Sequence, residues 1–182
     1  MDYKEVYIKS VEKNTNDYKI FEKLCDRAKQ IIINGLNCGG GFYYFYIWDI
    51  NEELLNMSPI EQIFCVAYRI YDLGYFNKEF KLSFAEQVYI KAKDKTYRCD
   101  FLVETIVDGN EEKFLKRPLI IELDGYDYHS SKEQISYDYE RENQLKLCGY
   151  DVMRFTGSQV YNHPMRCIEK VYEYCKKAET QE

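Results

Sequence analysis

The sequence predicts an α/β fold: a mixed central β-sheet flanked by helices, with a helix-and-strand extension at the N-terminus. Three observations predict it. A capped amphipathic helix begins at Ser58. Strand-type residues broken by two turn signals then run to Asp124. After that, helical and strand patterns alternate to the end of the chain. The order helix, three strands, helix, strand, helix implies a mixed sheet flanked by helices.

The elements follow in order. Ile20, Leu24, Ala28, Ile31 and Ile32 recur at helical spacing, so residues 16 to 35 read as one helix stopped by Gly35. Asn37 to Gly41 is a turn. Its glycines are not followed by Gly-Lys-Ser/Thr, which makes a connection the better reading than a phosphate cradle. Phe42 to Ile50 is an aromatic-rich strand, better suited to core packing than to stacking bases.

Residues 51 to 57 mark a boundary between an extension over 1–57, packed on the core, and the main domain over 58–182. Ser58-Pro59-Ile60-Glu61 forms a capping box with proline at the first helical position. Ile60, Phe64, Ala67, Tyr68 and Tyr71 line one face of that helix, and Gly74 ends it. Gln87 to Ala92 and Tyr97 to Val107 pair as a hairpin about the polar turn Lys93 to Thr96. Asp108-Gly109-Asn110 turns the chain again, and Pro118 leads into a strand ending at Asp124. A helix over 131–147 stops near Gly149, Tyr150 to Thr156 is the last strand, and Pro164 to Lys177 the closing helix.

Composition bounds the classes. With 46% hydrophobic and 31% charged residues over 182 positions, the chain suits a soluble globular protein with a full core. Its net charge of -6 weighs against nonspecific nucleic-acid binding through bulk electrostatics, although bound metal and local basic clusters can offset that. Seven scattered cysteines make no C-x-x-C pair and read as buried thiols in a reducing compartment. The first residues show no apolar leader, and the run Phe42 to Trp48 is too short to span a bilayer. A cytoplasmic protein with no membrane partner is expected.

The chemistry concentrates where the apolar strand Leu119-Ile120-Ile121 ends in Glu122-Leu123-Asp124-Gly125. Side chains alternate along a strand, so Glu122 and Asp124 share a face and Leu123 takes the other. Two acids at the end of a buried strand require a compensating cation or donor. Carboxylate oxygens suit a hard divalent ion, so Mg²⁺ is the simplest compensation. Asp100, on the neighbouring hairpin strand, meets Glu122 if those strands pair.

The series Arg98-Cys99-Asp100-Phe101, Glu122-Leu123-Asp124-Gly125, His129, Asp138-Tyr139-Glu140-Arg141 and Gly149 to Phe155 resembles the PD-(D/E)XK nuclease superfamily. Within it, the pattern is similar to the branch of very-short-patch-repair endonucleases. The resemblance covers about residues 58 to 160. It implies a restriction-endonuclease-like fold and a Mg²⁺-dependent DNA endonuclease of prokaryotic or phage type, with Mn²⁺ as the substitute ion. It implies Asp100 and Glu122 as metal ligands, the Leu123 carbonyl as a third, and Asp124 and His129 as further catalytic groups. Glu61, Asp138, Arg141 and Arg154 take supporting places. Two positions depart from the superfamily pattern. Cys99 stands where proline precedes the first acid, and Asp124 stands where lysine is usual. The repair-like branch commonly carries Asp-Gly there, which leaves His129, then Lys132, as candidates for the basic group.

Plainer readings stand beside these. The capping box alone explains Glu61. Arg98 and Asp100 can form a surface pair, Asp124 can cap the Gly125 turn, and His129 can be a surface loop residue. Asp138 and Arg141 have the spacing of a helix-surface ion pair. Arg154, on the face of Val152, either pairs with an acid or contacts a phosphate. DNA is the expected partner, with RNA behind it. The alternative is an inactive nuclease fold that binds nucleic acid or a protein partner. A homodimer is compatible with the sequence, which does not set the oligomeric state.

Overall fold

The computed structural model describes residues 16–38, 52–72, 80–125 and 131–179 of the chain. Two compact units divide the chain, one of Met1–Asn77 with Tyr161–Ile168, the other of Lys78–Val160 with Glu169–Glu182. No helix among the described residues is long and apolar enough to cross a membrane. The expected turn at Asn37–Gly41, strand at Phe42–Ile50 and helix stop at Gly74 rest mainly or wholly on positions outside the described residues.

In the first unit, helices α1 (Asn16–Lys23) and α2 (Asp26–Cys38) replace the single helix expected over 16–35. The break has a tertiary cause. The Cys25 amide donates at 2.9 Å to the side-chain oxygen of Gln62. Gly35 does not stop α2, which continues to Cys38. It is instead a point of close approach, because a Cβ there would lie 3.0 Å from Ile70 Cδ1. A 3-10 turn at Glu52–Asn56 precedes α3 (Pro59–Ile70), whose capping box forms as expected. Ser58 N–H donates to Glu61 Oε2 at 2.6 Å, and Glu61 N–H donates to the Ser58 hydroxyl. The expected single apolar face is too narrow a description. Every residue from Glu61 to Ala67 is buried, together with Ile70 and Tyr71. A helix covered on nearly all sides is a core element.

The second unit holds the sheet, with strands β1 (Lys81–Ala92), β2 (Lys95–Asp108), β3 (Glu111–Asp124) and β4 (Asp151–Thr156) in the order β1-β2-β3-β4. The first three are antiparallel and β4 is parallel to β3, so the sheet is mixed as predicted. Helix α4 (Lys132–Leu147) supplies the crossover from β3 to β4. A short helix α5 (Gly157–Asn162), not anticipated, precedes α6 (Pro164–Glu179).

Strand β3 begins seven residues before Pro118, not after it as expected. The β2–β3 register explains how proline is tolerated there. Val103 pairs with Leu119, but Thr105 pairs with Phe114, so residues 115–118 face Glu104 alone. Pro118 sits in this bulge, where no ladder bond is asked of it.

One sheet face carries Ile90, Ala92, Tyr97, Cys99, Leu102 and Ile120 in a cluster with Leu145 of α4. Strict alternation would put Cys99 and Leu102 on opposite faces. The phase of β2 therefore changes between them, next to Asp100. Opposite this stretch, β1 carries Gln87 at φ 53°, an uncommon backbone for a residue with a side chain. Helix α6 is tied to the sheet as well. Tyr172 stacks on Phe80 with centroids 5.5 Å apart, and the Tyr174 hydroxyl donates to Asp151.

Candidate active site

The β2–β3 ladder ends with the pair Phe101↔Ile121. One step further, Asp100 and Glu122 come level where β2 and β3 part, while β2 stays paired with β1. There the Asp100 side chain takes over a bond of the ladder, with its Oδ2 accepting from the Leu123 N–H at 2.7 Å. The parallel register places Arg154 of β4 beside Glu122. On β3 the three residues Ile120, Glu122 and Asp124 share a face by alternation, so both acids point to the side that carries α4.

Helix α4 starts on a Ser131 cap, whose hydroxyl accepts from Gln134 N–H. Among its residues only Leu145 is fully buried. Gln134, Tyr137, Asp138 and Arg141 fall at i, i+3, i+4 and i+7, one side of a helix. That side faces the acids. A cavity of about 400 Å³ is lined by these four residues together with Thr96, Tyr97, Arg98, Asp100, Glu122, Leu123, Asp124, Gly125 and Arg154.

The acids are individually compensated. Glu122, with its side chain 8% exposed, accepts from Arg141 Nη2 at 2.7 Å. Burial raises the Glu122 carboxyl above its ordinary value, against the pull of the Arg141 and Arg154 guanidiniums. Arg141 also donates to the Arg98 carbonyl at 2.6 Å and lies over the Tyr97 ring at 5.9 Å. It is not the surface partner of Asp138 that its spacing suggested. Cys99, beside Glu122, is pushed up to about 12, first by burial and then by that carboxylate, so it is a neutral thiol. Arg154 holds both oxygens of Asp124 through Nε and Nη2. Asp138 Oδ1 accepts from Gln134 at 3.2 Å, while its buried Oδ2 has no hydrogen-bond partner.

Of the residues singled out from sequence, Asp100, Glu122, Leu123, Asp124, Asp138, Arg141 and Arg154 thus border one cavity. His129 lies outside the described residues. Lys132, in the first turn of α4, is not among the lining residues. Glu61 belongs to the first unit, where its carboxylate closes the α3 cap. Sequence reasoning missed Tyr137, Gln134, Tyr97 and Thr96. The first two were within reach, because they share a helical stripe with Asp138 and Arg141.

Among the described residues, no group of three or more His, Cys, Asp or Glu side chains is arranged to hold a metal ion. The carboxylates of Asp100 and Glu122, from adjacent strands, are nevertheless donors of the kind a hard divalent cation takes. The orphaned Asp138 Oδ2 in the same wall adds an acceptor in need of a partner.

A model of the REase_MTES_1575 family matches residues 84–174, half of the chain. That span contains every described residue that lines the cavity. No curated protein and no solved structure matches.

Proposed function

We propose a function from one premise: the chain belongs to the REase_MTES_1575 family, which is restriction-endonuclease-like. The activity we infer is hydrolysis of DNA phosphodiester bonds by an endonuclease that uses Mg²⁺, with Mn²⁺ as a substitute. Within the PD-(D/E)XK superfamily we take the very-short-patch-repair endonucleases as the functional analogy, on the Asp124-Gly125 pattern and the position of His129 in the sequence. In this reading residues 58–182 are the nuclease domain and 1–57 an extension packed on it. The observation that carries the reading is the meeting of Asp100 and Glu122, from adjacent strands, at one cavity also bordered by three arginines.

Asp100 and Glu122 would hold the ion together with the Leu123 carbonyl. When bound, a divalent cation supplies Lewis-acid polarisation of the phosphoryl oxygen and lowers the pKa of a water. The chain's own residues do the rest. The Leu123 N–H fixes the Asp100 carboxylate, and Arg141 fixes that of Glu122. Arg154, held by Asp124, offers a cation toward charge that builds on the phosphate. His129 is the proposed proton carrier for the attacking water. Water adds to phosphorus, the ester P–O bond breaks, and the departing oxygen takes up a proton.

Incubation of the purified chain with supercoiled plasmid and Mg²⁺ tests this. Nicking by wild type, reduced at least 100-fold in Asp100→Ala and Glu122→Ala, is expected (roughly 3 kcal/mol or more of transition-state stabilisation). No nicking by wild type, or undiminished nicking by both variants, defeats it. An RNA arm of the same assay decides between the nucleic acids.

A second reading is favoured by the fact that Glu122 and Asp124 already hold arginine partners. In that reading the fold is catalytically inactive and binds nucleic acid or, given a net charge of -6, a basic protein. Calorimetric titration with Mg²⁺ or Mn²⁺ discriminates. A nuclease binds the ion through the acids, and a binding module does not need it.

A further inference from the structure

Beside its carboxylates, the cavity is lined by an exposed aromatic ring that has a cation next to it. Tyr137, on the cavity side of α4, is 46% exposed. Lys95, the first residue of β2 after the hairpin turn, places its ammonium 5.5 Å from the centroid of that ring. Arg98 lines the cavity three residues further on. Exposed tyrosines usually interrupt a polar surface singly and ask for no explanation. This one is different because it borders the acids and already carries a cation over its face.

A nucleotide presents a flat π face and a phosphate a few ångströms apart. Ring and ammonium are the complementary pair. Base–aromatic stacking needs an exposed ring and an unstacked base, which a paired duplex does not offer. We propose that Tyr137 and Lys95 form a subsite for an unpaired nucleotide of DNA, with the ring stacking on the base and the ammonium holding its phosphate. The inference rests on the nuclease reading and narrows its substrate class to DNA with an unpaired nucleotide beside the scissile bond. In the free protein Lys95 covers one ring face; on binding it exchanges the ring for the phosphate.

The experiment uses the full chain with Ca²⁺ replacing Mg²⁺, a hard cation of equal charge and looser geometry. The probes are oligonucleotides with 2-aminopurine in a single strand, in a one-nucleotide bulge or within a perfect duplex. Wild type is expected to quench the fluorophore in the single strand and the bulge, and to bind both more tightly than the duplex. Tyr137→Ala is expected to weaken binding to the unpaired probes by roughly 5- to 150-fold and to abolish the quench, while Tyr137→Phe keeps both. Lys95→Ala weakens binding to the same probes. The exposure of Tyr137 makes all three variants compatible with the fold, which circular dichroism checks. Equal affinity for bulge and duplex, an unaltered Tyr137→Ala, or Tyr137→Phe as damaging as Tyr137→Ala overturns the subsite. Cleavage with Mg²⁺ is scored separately. Quenching without cleavage removes the nuclease reading and leaves the subsite; cleavage without discrimination removes the subsite alone.

Discussion

Helices α3 and α4 begin alike and end differently. Each opens on a serine whose hydroxyl accepts from the backbone N–H three residues on. Helix α3 then buries eight of its twelve residues, whereas α4 buries one of sixteen. Apolar packing holds the first. The second is held by Leu145, by the Arg141–Glu122 pair and by Arg117, which donates to Asp151 and to the carbonyls of Lys146 and Tyr150. A helix with so small an apolar anchor is not there to fill a core. Its stripe of Gln134, Tyr137, Asp138 and Arg141 lines a cavity. Good capping shows that a helix exists, and what covers its sides shows what it is for.

The contrast can be broken by mutation. Phe64→Ala, at a fully buried position of α3, is expected to destabilise the first unit by about 3–5 kcal/mol, read from urea unfolding. A loss near zero would mean that α3 is not the core helix it looks. Arg141→Ala is expected to cost about 1–3 kcal/mol, because Glu122 is left buried without its donor. Glu122→Gln in the same background should recover part of that loss. Equal destabilisation by Arg141→Ala with and without Glu122→Gln would show that the pair does not hold α4.

Smaller effects sharpen the comparison. Ser58→Ala and Ser131→Ala should each cost about 1 kcal/mol, since each hydroxyl accepts from the backbone N–H three residues on. Gln134→Ala should stay within about 0.5 kcal/mol, as expected of a residue that lines a cavity and supports no core. A strong loss there would assign α4 a structural role after all.

Acid should separate the two helices as well. Asp151 feels burial, which pushes its carboxyl up, but the Tyr174 hydroxyl and Arg117 outweigh it and hold the carboxyl below its ordinary value. A depressed folded-state value stabilises above the unfolded value of about 3.9 and loses that contribution as pH falls below it. Amides at the C-terminal end of α4 should therefore lose hydrogen-exchange protection on acidification through this range, and those at the C-terminal end of α3, away from the Glu61 cap, should not. Asp151→Asn should remove the difference. Protection that falls equally in both helices would disprove the assignment.

Much of the fold was legible because its signals are local. Ser58-Pro59-Ile60-Glu61 announces a helix start whatever surrounds it. Gly109 takes the positive φ that a turn between strands requires, and Gly149 the one that ends α4. The alternation along Leu119 to Asp124 set Glu122 and Asp124 on one face before any partner was known. Other features were illegible because their causes lie far along the chain. The helix over 16–35 breaks where Gln62 takes the Cys25 amide, 37 residues away. Gly35 reads as a stop but is space left for Ile70. Pro118 reads as a strand boundary until the register shows the bulge that shelters it.

The sequence by itself determined the type of most described elements, the mixed sheet and the acids at the end of its apolar strand. Periodicity, caps and turn residues act over a few positions, so they can be read before any distant partner is known. Only the tertiary structure decided which cation faces which acid, that Arg141 answers Glu122 and not Asp138, and that Tyr137 lines the cavity while staying exposed. Those choices depend on strand register and on how α4 lies across the sheet, and both are set by burial of side chains far apart in the chain.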